Sequence, residues 1–205
     1  MPDIGLFLVA SALLTLAPGP DIVYVITRGI AQGRRAGIAA ALGFSSGVIF
    51  HTALAAFGVA ALIRSSELAF AVVRYAGAGY LIYLGIMTLS SRGALQLGRE
   101  QPALALWTVY KQSVIGNALN PKVTLFFLSF LPQFVNVKAG HVAWQAALLG
   151  LIFMLQSALI FAAVAFFAGS IGDKLRANDN IAQRLNRFAG IIFIALGIRV
   201  AWPES

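Results

Sequence analysis

Asp21 and Lys122 are charged residues inside long apolar runs, and each directly follows a proline. Asp21 closes Ala17-Pro18-Gly19-Pro20-Asp21, which interrupts the run from Ile4 to Thr27. Lys122 closes Asn120-Pro121-Lys122 within the run from Tyr110 to Phe134. An aspartate at the centre of a bilayer-spanning helix costs roughly 2.5 to 3.5 kcal/mol on insertion scales, so its default reading is functional. Pro18, Pro20 and Pro121 remove backbone donors and Gly19 frees the chain, which leaves carbonyls without partners in a medium that offers no water. Such breaks persist only against protein or a wet cavity. Asn120 is a good N-cap and Pro121 suits a first helical position, so a half-helix is expected to begin there, and Pro20-Asp21 begins one in the same way. Amide groups and partial positive charge at both starts suit a carboxylate. An amino-acid zwitterion fits such a place, its carboxylate on these amides or Lys122 and its ammonium on Asp21. The competing reading is that Asp21 and Lys122 pair with each other and lock the bundle.

His51 is a further candidate. Gly43, Gly47 and His51 follow at four-residue steps and share one helix face, where the two glycines let a neighbour approach closely. A histidine on such a face can take up or release protons near neutral pH. Donation from its ring to a backbone carbonyl is an equally good reading. Gln112, Ser113, Asn117, Gln156 and Ser157 are polar groups at the same depth, as often helix-packing contacts as substrate contacts. Arg199, near the end of the last apolar run, is placed to snorkel.

The elements that must position these residues are membrane spans. The 205 residues are 60% apolar and 11% charged, with a mean hydropathy of +0.85, outside the range of soluble domains. Six apolar segments, each long enough to span, run from Ile4 to Thr27, Gly37 to Ile63, Leu68 to Leu89, Tyr110 to Phe134, Val142 to Ala168 and Leu185 to Trp202. Short polar connections join them, such as Arg28 to Arg35 and Asp173 to Asn180. The fold class expected is an all-α polytopic membrane protein forming a single transporter domain. Its six helices fall into two inverted three-helix repeats, about 1–89 and 110–205, joined by a linker of about 90–109. Arg74-Tyr75-Ala76-Gly77 leading to Leu84-Gly85-Ile86 corresponds to Arg187-Phe188-Ala189-Gly190 leading to Leu196-Gly197-Ile198, one residue shorter. Each half opens with a broken, charged helix.

Lysine and arginine set the orientation. Ten fall in the connections after spans one, three and five (Arg28, Arg34, Arg35, Arg92, Arg99, Lys111, Lys174, Arg176, Arg184 and Arg187), against Arg64, Arg74, Lys138 and Arg199 on the other side. The positive-inside rule then puts both termini outside the cytoplasm. Trp144 and Trp202 fall at the outer boundary and Trp107 at the inner one, as interfacial anchors. Asp3 precedes the first span and no Lys or Arg does before Arg28, so the span lacks the basic leader of a cleaved signal and is expected to be retained.

The net charge of +8 reflects topology rather than nucleic-acid binding, because the longest basic run is Arg34-Arg35. Absence of cysteine excludes thiol redox chemistry and thiolate metal sites, and two histidines make a poor metal site. No cofactor or metal is expected. No Ser/His/Asp set, paired aspartates or His-Glu-xx-His motif supports an enzyme.

Ala17-Pro18-Gly19-Pro20-Asp21, the Gly43 to His51 stripe, Tyr80 to Gly85, Asn120-Pro121-Lys122 with Leu131-Pro132-Gln133-Phe134, and Leu196-Gly197-Ile198-Arg199 together resemble the LysE/RhtB family of bacterial amino-acid exporters. The resemblance covers nearly the whole chain, and its order of motifs is specific. It implies a secondary transporter of the cytoplasmic membrane that exports homoserine, threonine or a related neutral or basic amino acid by proton exchange. The homoserine/threonine type is the nearer branch. The partners implied are an amino acid, protons and the lipid bilayer, with a homodimer left open. The alternatives are an exporter of cations or another small metabolite, or a non-transporting scaffold.

Overall fold

Proline and glycine punctuate an otherwise continuous helical pattern, and the computed structural model follows that punctuation. It describes residues 4–17, 19–65, 67–90, 102–168 and 179–202. Pro18, residues 91–101 of the expected linker and the 169–178 connection lie outside the described residues. The described residues form α-helices and short 3-10 turns, with no strand among them: α1 (Ile4–Leu16), α2 (Pro20–Gln32), α3 (Arg34–Ser65), α4 (Glu67–Ser90), α5 (Leu106–Ala118), α6 (Pro121–Ser129), α7 (Val142–Phe166) and α8 (Asp179–Ala201). The 3-10 turns Leu131–Phe134 and Val137–Ala139 follow α6.

The protein is an all-α polytopic membrane protein. Within α3 the stretch Arg34–Gly58, and the whole of α7, are each long and apolar enough to cross a bilayer. The pair α1 and α2, bent by 56°, and Leu106–Ala118 with Pro121–Phe134, bent by 48°, each have the combined length and apolarity of a broken span or a re-entrant loop. Both breaks fall at the prolines.

One boundary differs from the polar loop expected at Arg28 to Arg35. Helix α2 continues to Gln32, with Arg28 and Gly29 buried, and the chain turns at Gly33, whose φ of 83° favours glycine. The turn therefore occupies a single residue before α3 begins at Arg34.

Contacts fix the relative directions of the helices. On α3 and α7, Gly37 lies against Ala165, Ser45 against Ser157 and Thr52 against Gly150, so these helices run antiparallel. On α3 and α5, Gly43 lies against Ser113 and Gly47 against Asn117, so these run parallel. A Cβ on Gly47 would come within 2.7 Å of the Asn117 Cβ. The predicted glycine face is therefore the one that seats α5.

Helices α4 and α8 pack reciprocally. A Cβ on Gly85 would meet the Gly190 carbonyl at 2.7 Å and Ile194 at 2.5 Å; one on Gly197 would meet the Ala78 carbonyl at 2.8 Å and Ile82 at 2.6 Å. Each glycine thus faces residues seven and three positions before the other, a self-complementary antiparallel contact.

Two apolar clusters hold the bundle. The larger is centred on the buried rings of Phe7, Phe126, Phe127, Phe130 and Phe153. The smaller joins Val25, Ile26, Phe44, Val109 and Phe161. Ala17 and Val123, beside the two breaks, belong to the larger cluster.

Candidate functional site

Helix ends leave backbone groups unpaired, and both breaks have four such ends to satisfy. At the second break Asn120 takes an extended conformation (φ −77°, ψ 109°), and its Oδ1 accepts from the Lys122 amide at 3.0 Å, with Pro121 next in the chain. The expected N-cap is present. It also changes one expectation: the Lys122 amide at the start of α6 is already taken by the cap.

At the first break Gly19 is the N-cap of α2 without a side-chain cap, Pro20 opens the helix and Asp21 lies in its first turn. Asp21 is 4% exposed. Its Oδ1 accepts from Asn120 Nδ2 at 2.8 Å and its Oδ2 from Asn117 Nδ2 at 3.2 Å. The carboxylate of one broken helix is therefore held by two amides of the other. Its position at a helix start is also favourable for negative charge.

Lys122 does not pair directly with Asp21. Its Nζ donates to the Leu14 carbonyl at 3.1 Å and to the Ala17 carbonyl at 3.4 Å, both at the C-terminal end of α1. A cation there answers both the orphan carbonyls and the negative end of the helix dipole. An ammonium has three donors, so two such bonds leave one N–H for another acceptor. Gly19 provides the space, since a Cβ on it would lie 3.1 Å from Lys122 Nζ.

His51 is fully buried and joins the same network from α3. Its Nε2 lies 2.8 Å from the Asn117 carbonyl, which also accepts from the Asn120 amide at 2.8 Å. Nε2 must carry the proton, because a carbonyl can only accept. Its Nδ1 lies 3.3 Å from Thr124 Oγ1, and that hydroxyl lies 3.1 Å from the Asn120 carbonyl.

Asn117 and Thr124 are the residues that sequence reasoning did not single out. Asn117 was one of several polar groups at this depth, and only the fold shows that its side chain reaches Asp21 while its backbone carbonyl receives His51. A signal existed in the spacing Asn117-x-x-Asn120-Pro121, which puts two amides at one helix end. The orientation of the Asn117 amide follows from charge, since a flip would turn its oxygen onto the carboxylate. Its Oδ1 is left buried with no hydrogen-bond partner. An unmet acceptor of this kind costs on the order of 1–3 kcal/mol and is rare in packed interiors.

A pocket opens beside these groups, lined by Asp21, Asn117 and Lys122 together with Leu14, Val48 and Phe153. Thr15 and Ser157 add hydroxyls to its wall, and Phe161 closes one side. Ser157 is tied across the bundle to Ser45 at 3.3 Å. Among the described residues, no group of three or more His, Asp or Glu is arranged to hold a metal ion. The arrangement offers one anion, one cation with a spare donor and an apolar wall.

Related chains have the same extent. A "Leucine efflux protein" of Salmonella typhimurium is 30% identical over 207 residues, covering 97% of this chain and 94% of that protein. The "Leucine efflux protein" of Enterobacter sp. strain 638 is 31% identical over 199 residues, covering 95% and 93%. An "Uncharacterized membrane protein" of Vibrio cholerae is 30% identical over 200 residues, covering 97% and 96%. No solved structure matches the chain significantly. The family described as "LysE type translocator" matches residues 12–203. With that match spanning both helix breaks and the pocket between them, the chain belongs to the LysE type translocator family.

Proposed function

We propose that the protein is a secondary transporter that exports a neutral amino acid across the bacterial inner membrane in exchange for protons. The observation that carries this reading is the separate placement of Asp21 and Lys122 around one pocket: neither charge is used up by the other. The substrate ammonium binds the Asp21 carboxylate, and the substrate carboxylate takes the remaining N–H of Lys122. Its side chain lies against Leu14, Val48 and Phe153, a wall that suits leucine, while Thr15 and Ser157 can receive the hydroxyl of threonine or homoserine. Among the described lining residues Asp21 is the sole acid, which leaves no partner for the second cation of lysine or arginine. The names of the Salmonella and Enterobacter relatives support the neutral class.

Proton exchange follows from competition at Asp21. A carboxylate that receives two neutral amides still carries its charge, and either a substrate ammonium or a proton can neutralise it. Loading one expels the other, which couples the two flows. His51, one bond removed through Asn117, belongs to the coupling part of the site. The inverted-repeat plan supports alternating access, and the reciprocal contact of Gly85 and Gly197 is what such a two-fold relation produces. We place six spans in the membrane with both termini periplasmic.

The test is transport by purified protein in liposomes. Leucine, threonine, homoserine and lysine are each loaded inside, and efflux is followed with and without an imposed pH gradient. The reading expects efflux of a neutral amino acid that accelerates with an opposing proton gradient. Efflux of none of the neutral amino acids, with reconstitution confirmed, would refute it.

A further inference from the structure

Two clusters outside the pocket lining flank it along the bundle, and they are held together by different chemistry. Towards the N-terminus of α1, Phe7, Phe126, Phe130 and Phe134 pack in tilted and edge-on pairs with ring centroids 4.8–6.5 Å apart, and all four are buried. Opening that cluster exposes aromatic area and gains no hydrogen bond in return. On the opposite side, towards Gly33 and Arg34, a partly exposed polar seam joins α2 and α5.

Asp21, Tyr24, Arg28 and Gln32 follow at steps of three and four residues and form one stripe along α2, starting at the pocket. Both α2 and α5 lie on α3 and meet each other over a short stretch. Across it Tyr24 donates its hydroxyl to Gln112 Oε1 at 2.7 Å. Further from the pocket, Arg28 Nη1 donates to Gln32 Oε1 at 2.9 Å and to the Pro102 carbonyl at 3.1 Å, and Gln32 Nε2 donates to the Leu104 carbonyl at 2.9 Å. These bonds strap the chain that enters α5 onto α2. Every group in the seam can exchange its partner for water at little net cost. The Tyr24 ring also lies 5.7 Å from that of Phe44, which lies 6.0 Å from Phe161 in the pocket wall. Contact with a ligand can therefore reach the seam through two rings.

The geometry points to the α2–α5 seam as the gate on the side of Arg34 and Arg35, with the Tyr24–Gln112 hydrogen bond as its latch and the Arg28–Gln32 strap as its hinge-side tie. This rests on the reading of the Asp21, Asn117 and Lys122 pocket as the transport site. In the closed state the latch blocks the way from that side to the pocket. When it parts, α2 and α5 separate while both remain seated on α3.

The chain contains no cysteine, so a single Val48→Cys substitution makes the pocket wall a reporter. A membrane-impermeant thiol reagent is applied to oriented vesicles from either side. Adding Tyr24→Phe keeps the ring on Phe44 and removes the latch. Labelling from the Arg35 side is expected to rise about fivefold, the worth of one neutral hydrogen bond. Gln112→Leu breaks the same bond from its other partner and must give the same increase, which guards against a folding defect in either variant alone. Joining Tyr24→Cys and Gln112→Cys with a short bifunctional thiol reagent, in protein that lacks the Val48→Cys reporter, is expected to abolish amino-acid efflux from liposomes, and unchanged efflux counts against the gate. Labelling unchanged by both latch variants in inserted protein, or raised only from the opposite side, overturns the gate. Protection of the Val48→Cys thiol by leucine or threonine tests the pocket reading separately: latch-dependent labelling without protection would refute the pocket as the transport site and leave the gate standing.

Discussion

Asn120 and Asp21 join the two broken spans through one amide group: the Asn120 oxygen caps α6 while its nitrogen donates to Asp21 Oδ1 at 2.8 Å on α2. The residue that starts one half-helix therefore fixes the charge at the start of the other. Any shift of α6 along its axis is transmitted to the carboxylate.

The two roles of Asn120 separate by substitution. Asn120→Ala is expected to lower stability by about 1 kcal/mol through loss of the cap. It also leaves Asp21 Oδ1 without its partner, so KM for the exported amino acid should rise. Asn120→Ser restores a cap but cannot reach Asp21 with a donor of the same length. Thermal unfolding in detergent should return towards wild type in Asn120→Ser while KM stays raised. If KM recovers together with stability, the contact with Asp21 has no part in substrate binding.

Gly47 seats the residue that holds both Asp21 and His51. A Cβ there would lie 2.7 Å from the Asn117 Cβ and 2.8 Å from the Val114 carbonyl, so α5 must move away. Gly47→Ala is expected to cost about 1–3 kcal/mol, the usual range for overpacking. Gly79, on α4, has nothing within 4 Å of its added Cβ, and Gly79→Ala should change the melting temperature little. Comparing the two variants by thermal unfolding checks the expected order, and equal melting temperatures would contradict it.

The two breaks, the Asn120 cap and the close-packed glycine face were legible from sequence because each depends on local chemistry: proline lacks a donor, asparagine caps, and glycine admits a neighbour. The partner of Lys122 was not. Its attachment to the Leu14 and Ala17 carbonyls joins residues more than a hundred positions apart, and only the rule that broken helices orphan their carbonyls hinted at it. Asn117 stayed hidden for a related reason, since a polar residue in a span reads the same whether it packs or binds until the neighbouring helices are in place. Arg28 was assigned to a loop because a charge after an apolar run usually marks its end; here Gly33, five residues later, supplies the turn.

Thr124 has one hydroxyl proton and two acceptors in reach, His51 Nδ1 at 3.3 Å and the Asn120 carbonyl at 3.1 Å. While His51 is neutral the hydroxyl can donate to Nδ1; once the ring is charged, Nδ1–H donates to Oγ1 and the hydroxyl turns to Asn120. Asp21 and Lys122 are the charged groups of the surrounding network. Thr124→Val and His51→Gln should each flatten the dependence of export on the pH gradient while protein levels stay similar. A wild-type pH profile in both variants would make His51 a packing residue.

The proposed orientation rests on the excess of basic residues on one side. Single cysteines replacing Arg35 and Lys174 should be shielded from an impermeant thiol reagent on intact cells, and one replacing Ser205 should react. Labelling at Arg35→Cys with shielding at Ser205→Cys would reverse the assignment.

Asp21 and Lys122 give the sharpest test of the transport site because they share a pocket without sharing a bond. Removing one charge from a buried constellation commonly costs 3 to 5 kcal/mol, so either single variant can fail by misfolding alone. Asp21→Asn with Lys122→Gln removes both charges and keeps neutral groups of similar size. Were the two residues merely structural, this double variant would fold and export together. If they hold the ammonium and carboxylate of the substrate, the protein should insert and unfold at a temperature near that of wild type, yet neither bind nor export amino acid. Binding measured by ligand-induced thermal shift, beside efflux from liposomes with confirmed reconstitution, distinguishes the two results. Export near the wild-type rate by the double variant would remove both residues from the site.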